Sequence, residues 1–149
     1  MYKHILVPTD GSKLAMRAVK HAAGLAKACK AKLTVLYVIE PYLPPVGGEN
    51  MLPSVFAQDE AAYRLVADKA ADAALAKVTR ALATSRVKCD TLKIVDALPW
   101  RGIVEGARKR RCDVVVMASH GRGALAGVVL GSETTKVLAH TKVPVLVCR

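Results

Sequence analysis

The stretch Asp113 to Ser119, DVVVMAS, constrains this chain more than any other, because it is apolar almost throughout. A strand with one face in water alternates apolar and polar residues. A strand with no such alternation is covered on both faces, as in a parallel sheet flanked by helices. The rest of the chain alternates strands and helices in the manner such a sheet requires. His4 to Val7 is an apolar run that ends in Pro8-Thr9-Asp10-Gly11, and Ser12 to Lys30 carries Leu14, Ala18, Ala22, Leu25 and Ala26 on one helical face. Leu33 to Ile39 reads as a second strand, stopped by Pro41, and an irregular piece runs on to Ser54.

A long helix is expected from about Val55 to Ser85, with Ala71, Leu75, Val78 and Leu82 as its stripe. Val87 to Val95 is more polar and alternates, which places it at a sheet edge. Pro99 suits the first turn of a helix that reaches about Arg110. Ser132 to His140 reads as a last short helix and Pro144 to Cys148 as the closing strand. The pattern predicts one doubly wound parallel α/β domain over residues 1–149. Such sheets bind ligands outside the carboxyl ends of their strands, where the strand order reverses. Asp10 and the Ser119–Gly131 loop both fall at strand exits of this kind. The Pro41–Ser54 segment is long enough to read as a lid or a mobile connection.

Bulk properties exclude more than they assign. The chain has 149 residues, of which 52% are hydrophobic, and a mean hydropathy of +0.26. Alanine supplies much of this, and no run of about 18 apolar residues marks a membrane span. The N-terminus reads as a strand rather than a signal peptide, so the expected compartment is the cytoplasm. Cys29, Cys89, Cys112 and Cys148 are scattered singly, without a CxxC pair or zinc spacing, and read as reduced structural thiols. The net charge is +11, from 23 Lys and Arg against 12 Asp and Glu. The basic residues are spread along the sequence, and the dense run Arg108 to Arg111 lies at a helix end, where cations complement the dipole. Aromatics make up only 4%, too few for a base-stacking platform, so nucleic acid is a disfavoured partner.

Chemistry concentrates in ASHGRGALAGVVLGS, residues 118–132, with glycines at 121, 123, 127 and 131. A helix opening at Gly131-Ser132-Glu133-Thr134 offers unpaired N–H groups, a positive dipole end and two hydroxyls to an anion. Equally, Ser132 reads as a plain N-cap and Gly131 as a flexible entry. Glu133 would repel an anion unless its side chain faces solvent, a divalent cation binds, or Arg122 offsets it. Asp10 suits both ribose hydrogen bonding and capping of the next helix. His120 has no evident catalytic partner in sequence and reads as structural. Walker, nucleophile-elbow and dinucleotide motifs are absent, and catalysis is the weakest reading.

Taken together, the opening KHILVPTDGS, the block DVVVMASHGRG and the closing GVVLGSETTKVLAHTKVPVLVCR resemble the universal stress proteins over essentially the whole chain. The resemblance implies a five-stranded parallel sheet in the order 3-2-1-4-5, of the adenine-nucleotide alpha-hydrolase-like kind. It also implies a homodimer through the final strand, Pro144 to Cys148, a stress-response role, and in one branch binding of ATP with Mg²⁺ or Mn²⁺, with hydrolysis slow at most. The ATP-binding members share Gly, two residues, Gly, nine residues, Gly, then Ser or Thr. Here Gly121, Gly131 and Ser132 match, and Ala118 replaces the first glycine. By the same resemblance Pro8, Thr9 and Asp10 surround ribose and adenine, and Val38 flanks the base. Ala118 and Gly121 pass near ribose and phosphate, while Gly131, Ser132, Glu133 and Thr134 hold the phosphate chain. The alternative is a dimeric module that binds no nucleotide and acts through a protein partner.

Overall fold

The computed structural model describes residues 1–44, 53–121 and 130–149, with residues 53–56 described by backbone alone. The expectation of a lid beyond residue 44 and the offsetting role given to Arg122 lie outside the described residues. Among the described residues five strands and four helices alternate: β1 (His4–Pro8), α1 (Lys13–Cys29), β2 (Lys32–Ile39), α2 (Pro53–Leu82), β3 (Cys89–Val95), α3 (Pro99–Lys109), β4 (Val114–Ala118), α4 (Ser132–His140) and β5 (Val145–Cys148). The sheet order is β3-β2-β1-β4-β5 and every pairing is parallel. The order therefore reverses between β1 and β4.

Strand alternation sorts the core into two layers. Ile5 and Val7 of β1 and Val114 and Val116 of β4 pack with Ala18, Ala22 and Ala26 of α1 and with Leu75 and Val78 of α2. Leu6, Leu36, Val115 and Met117 face the other way, against Ile103 and Ala107 of α3 and Val137 of α4. Both faces of β4 are thus covered, as its composition demands. The alternating strand β3 is at the edge, beside β2 alone among the described residues.

Local chemistry sets the element ends. Ser12 Oγ accepts a hydrogen bond from Ala15 N–H at 3.1 Å and caps α1. α1 closes with Lys30 in the left-handed region (φ 55°) and Ala31 N–H on Ala26 O at 2.8 Å. Helix α3 lies close to the sheet because it presents glycine there. A Cβ on Gly102 would stand 2.9 Å from both Val38 methyls, and one on Gly106 would stand 3.0 Å from Leu36 Cδ2. The cysteines are free, with Cys112 and Cys148 buried. Burial, helped by Asp113, pushes the Cys112 thiol up to about 11, so it stays protonated at neutral pH and packs as a small apolar group.

Candidate functional site

Outside the carboxyl ends of β1 and β4 lies a cleft of about 560 Å³, within the range of small-molecule sites. Pro8, Thr9 and Asp10 line it from the end of β1, and Val38 from β2. Ala118 and Gly121 come from the exit of β4, and Gly131, Ser132, Glu133 and Thr134 from the start of α4. The residues that the resemblance assigned to the nucleotide all line this one cavity. Tyr37, Glu40, Pro99, Ile103, Met117 and His120 line it as well. All but His120 were missed, because single residues in ordinary strand or helix-start contexts carry no local signal of facing a cleft.

The β1 exit is a tight, internally bonded turn. Thr9 Oγ1 accepts from Gly11 N–H (3.1 Å) and Asp10 Oδ1 accepts from Ser12 N–H (2.9 Å), while Gly11 takes φ 80°. Asp10 therefore supports the residue that caps α1 rather than capping the helix itself. Its other oxygen, Oδ2, lies 3.3 Å from where a Cβ of Gly121 would be, so the two strand exits meet here.

At the other wall, the N-cap of α4 is Gly131 and Ser132 is the first helical residue, which corrects the reading of Ser132 as the cap. Gly131 has an ordinary φ of −71°. What demands glycine is close approach: Gly131 N–H donates to Ser119 O at 2.7 Å, and a Cβ would sit 3.1 Å from that oxygen and 3.3 Å from His120 Cα. Thr135 N–H makes the first intrahelical bond, to Gly131 O at 3.0 Å. The N–H groups of Ser132, Glu133 and Thr134 precede it and are the ones a helix leaves for an external acceptor. The Thr134 hydroxyl is not part of that offer. It is buried and donates to Ala118 O (3.0 Å) or Ser119 O (3.2 Å).

Glu133 does not point its charge at the cleft wall alone. Its Oε2 accepts from Trp100 N–H at 2.7 Å, and Oε1 lies 3.3 Å from Lys136 Nζ. The carboxylate thereby caps α3, whose own N-cap, Leu98, makes no side-chain cap bond. His120 Nδ1 is 2.9 Å from the hydroxyl of its sequence neighbour, Ser119 Oγ. Ala118, the departure from the glycine pattern, is regular strand paired with Cys148, and it packs in the α1-side core. That backbone does not need glycine.

Strand β2 outruns β1. Their last pair is Pro8 with Leu36, whereas β2 pairs with β3 as far as Ile39. Leu36 O accepts from Thr9 N–H on the β1 side, and Ile39 O accepts from Asp96 N–H on the β3 side. Strand periodicity therefore turns the N–H and C=O of Val38 toward the cleft, where they have no partner among the described residues.

A doubly wound parallel sheet with a cleft at its switch point defines a class of ligand-binding fold. Similarity to known proteins narrows it. The model of the universal stress protein family matches residues 1–149. Universal stress protein MJ0531 of Methanocaldococcus jannaschii is 31% identical over 100% of this chain and 83% of its own length. The solved structure of MJ0577 from the same organism superposes with a TM-score of 0.77 at 30% identity, covering 99% of this chain and 96% of that one. A universal stress protein solved in complex with cAMP gives a TM-score of 0.72 at 27% identity, with 99% and 97% covered. The chain belongs to the universal stress protein family.

Proposed function

We propose that this protein binds an adenine nucleotide, ATP with Mg²⁺ or Mn²⁺, in the cleft between β1 and β4. It then acts as a dimeric cytoplasmic stress-response protein rather than as a catalyst. The observation that carries the reading is the pairing of two features across one cavity. Val38 offers an N–H and a C=O side by side, and the start of α4 offers N–H groups at the far wall. The Watson–Crick edge of adenine presents an acceptor at N1 and donors at N6, which complement that backbone pair. Guanine presents the reverse and would leave polar groups unpaired.

The phosphates would lie on Gly131 and on the N–H groups of Ser132, Glu133 and Thr134, where the helix dipole favours negative charge. Pro8, Thr9 and Asp10 would border the ribose and adenine, with Ala118 and Gly121 beside ribose and phosphate. Glu133 is compatible with this because its carboxylate is held by Trp100 N–H and Lys136. Among the described residues no group of three His, Cys, Asp or Glu can hold a metal ion. The cation would ride chiefly on the phosphate oxygens, as Mg²⁺ does at nucleotide sites. A similar protein's complex with cAMP supports an adenine ligand.

The dimer would form through β5, an edge strand that among the described residues pairs only with β4, with Leu146 exposed. An uncovered apolar edge is an aggregation hazard that a second copy removes. Among the described residues no helix is long and apolar enough to cross a membrane.

Thermal unfolding with ATP and Mg²⁺ tests the reading. A ligand at 100-fold its Kd stabilises by about 2.7 kcal/mol, so a clear rise in Tm is expected with ATP and a smaller one with GTP. No rise at millimolar ATP overturns it and favours the module that works through a protein partner.

A further inference from the structure

We infer that the end of the sheet opposite the cleft is a second binding surface, built for the phosphate backbone of nucleic acid. The basic residues that look scattered in sequence are gathered by the fold, because each strand is entered through a turn that carries cations. In sheet order these are Arg86 and Lys88 before and beside β3, Lys30 and Lys32 at β2, and Lys3 before β1. Arg110 and Arg111 precede β4, and Lys142 precedes β5. All are exposed.

Backbone bonds tie the central turns together: Lys32 N–H donates to Lys3 O (3.1 Å) and Leu33 N–H to Lys88 O (2.9 Å), and the register that pairs Leu33 with Cys89 sets Lys88 opposite Lys32. Like charges set opposite one another across neighbouring strands oppose folding, so an anionic partner is what such a row lacks. Apart from the helix C-termini that end in these turns, the described residues of the chain do not supply one. Its ion pairs join Arg64 to Glu60, Lys93 to Asp68 and Asp72, Arg101 to Asp96, Arg108 and Lys109 to Glu105, and Lys136 to Glu133. Among the described residues no cation of the row takes part in one. Two carboxylates stand nearby. Asp113 accepts from the N–H groups of Lys3 and His4 at 2.8 and 3.1 Å and keeps its charge, so it and Asp90 offset two of the eight cations.

The row suits an extended polyanion. Strands lie about 4.8 Å apart, so five span about 19 Å, matching about five or six phosphates of one strand at 3.4 Å each. A membrane surface fits less well. Met1 is the one exposed large apolar residue in the strand-entry turns among the described residues, and interfacial binding needs a broad apolar face. Without exposed ring residues in these turns, contact is to phosphates and independent of base sequence. The surface is separate from the cleft and does not rest on the nucleotide reading.

The test is fluorescence anisotropy of labelled 20-mer single-stranded and duplex oligonucleotides with the full chain, from 25 to 200 mM salt and with saturating ATP. Binding should weaken steeply with salt and be indifferent to sequence and to ATP. The triple variant K3Q/K32Q/K88Q should bind at least ten-fold more weakly at 50 mM salt and lower the log–log salt slope by about 2 for single strands. R17Q/K20Q/K69Q, with the same loss of charge on helices α1 and α2, should change binding less than three-fold. Equal loss in both variants, no binding at 25 mM salt, or loss of binding with ATP overturns the inference. So does stronger binding to phosphatidylserine vesicles or to polyglutamate than to the oligonucleotides.

Discussion

The carboxylate of Glu133, on the first turn of α4, accepts the backbone N–H of Trp100, on the first turn of α3, at 2.7 Å. One side chain thus satisfies an orphan donor of a neighbouring helix, and its charge beside the cleft is partly met by that N–H and by Lys136. Trp100 also lies against His140, with ring centroids 4.3 Å apart, so the two helices are joined at both ends of α4.

Glu133→Ala should therefore lower stability by about 0.5–2 kcal/mol, the usual worth of a helix cap, in urea unfolding. Glu133→Gln keeps an acceptor without the charge. It should stay within about 1 kcal/mol of wild type and bind ATP at least as tightly by calorimetry. Much weaker binding by the Gln variant would mean that the carboxylate serves the ligand directly.

Gly131→Ala tests the close approach of α4 to β4. Its Cβ would press on Ser119 O and His120 Cα, both backbone atoms, so the helix start must shift. A loss of about 1–3 kcal/mol is expected from overpacking, together with at least ten-fold weaker ATP binding. Unchanged affinity would remove α4 from the phosphate seat.

Two other glycines should respond in opposite directions. A Cβ on Gly24, inside α1, meets nothing within 4 Å, and Gly24→Ala should raise stability by about 0.4–1 kcal/mol. Gly102→Ala would push into both Val38 methyls, force α3 off the sheet and lower stability by about 1–3 kcal/mol. Melting curves of the two variants check both signs.

His4 provides a pH signature. It is buried at the entry of β1, with Nε2 2.8 Å from Thr34 Oγ1. Burial, and then the charge of Lys32, lower its pKa below the ordinary 6.5, against weaker opposing effects from Arg110 O, Asp113 and Asp90. The unfolded chain takes up the proton first as pH falls. The stabilisation is thus complete above pH 6.5 and is lost from there down through the depressed folded value. His4→Gln, which can keep the bond to Thr34, should flatten Tm between pH 7 and pH 5 relative to wild type.

Leu146 is exposed on the free edge of β5. Leu146→Lys should shift the proposed dimer toward monomer in light scattering while leaving ATP protection in place. A dimer that survives the change would lie elsewhere on the surface.

The layered architecture was legible because composition and burial speak the same language. DVVVMAS has no polar face and becomes a strand covered on both sides, whereas the alternating β3 lies at the edge. Element ends were less legible. Asp113 leaves β4 to bind the N–H groups of Lys3 and His4, and Pro144, which has no N–H, stays outside β5. In the candidate site, the positions of Asp10 and Gly131 could be read from turn and glycine spacing. The diversion of the Thr134 hydroxyl could not, since it depends on carbonyls at the end of another strand. Nor could the Glu133–Trp100 bond, which joins residues 33 positions apart. The basic row was invisible for the same reason, as its members become neighbours only once the strands are ordered.

Because β2 continues past the end of β1, the polypeptide leaves its central ladder unfinished at Val38. A planar ring lodged against that backbone would act as the missing rungs, a non-peptide extension of the sheet. Occupancy would then be recorded as slowed amide exchange at Val38 itself, a label-free gauge of whether the molecule is loaded.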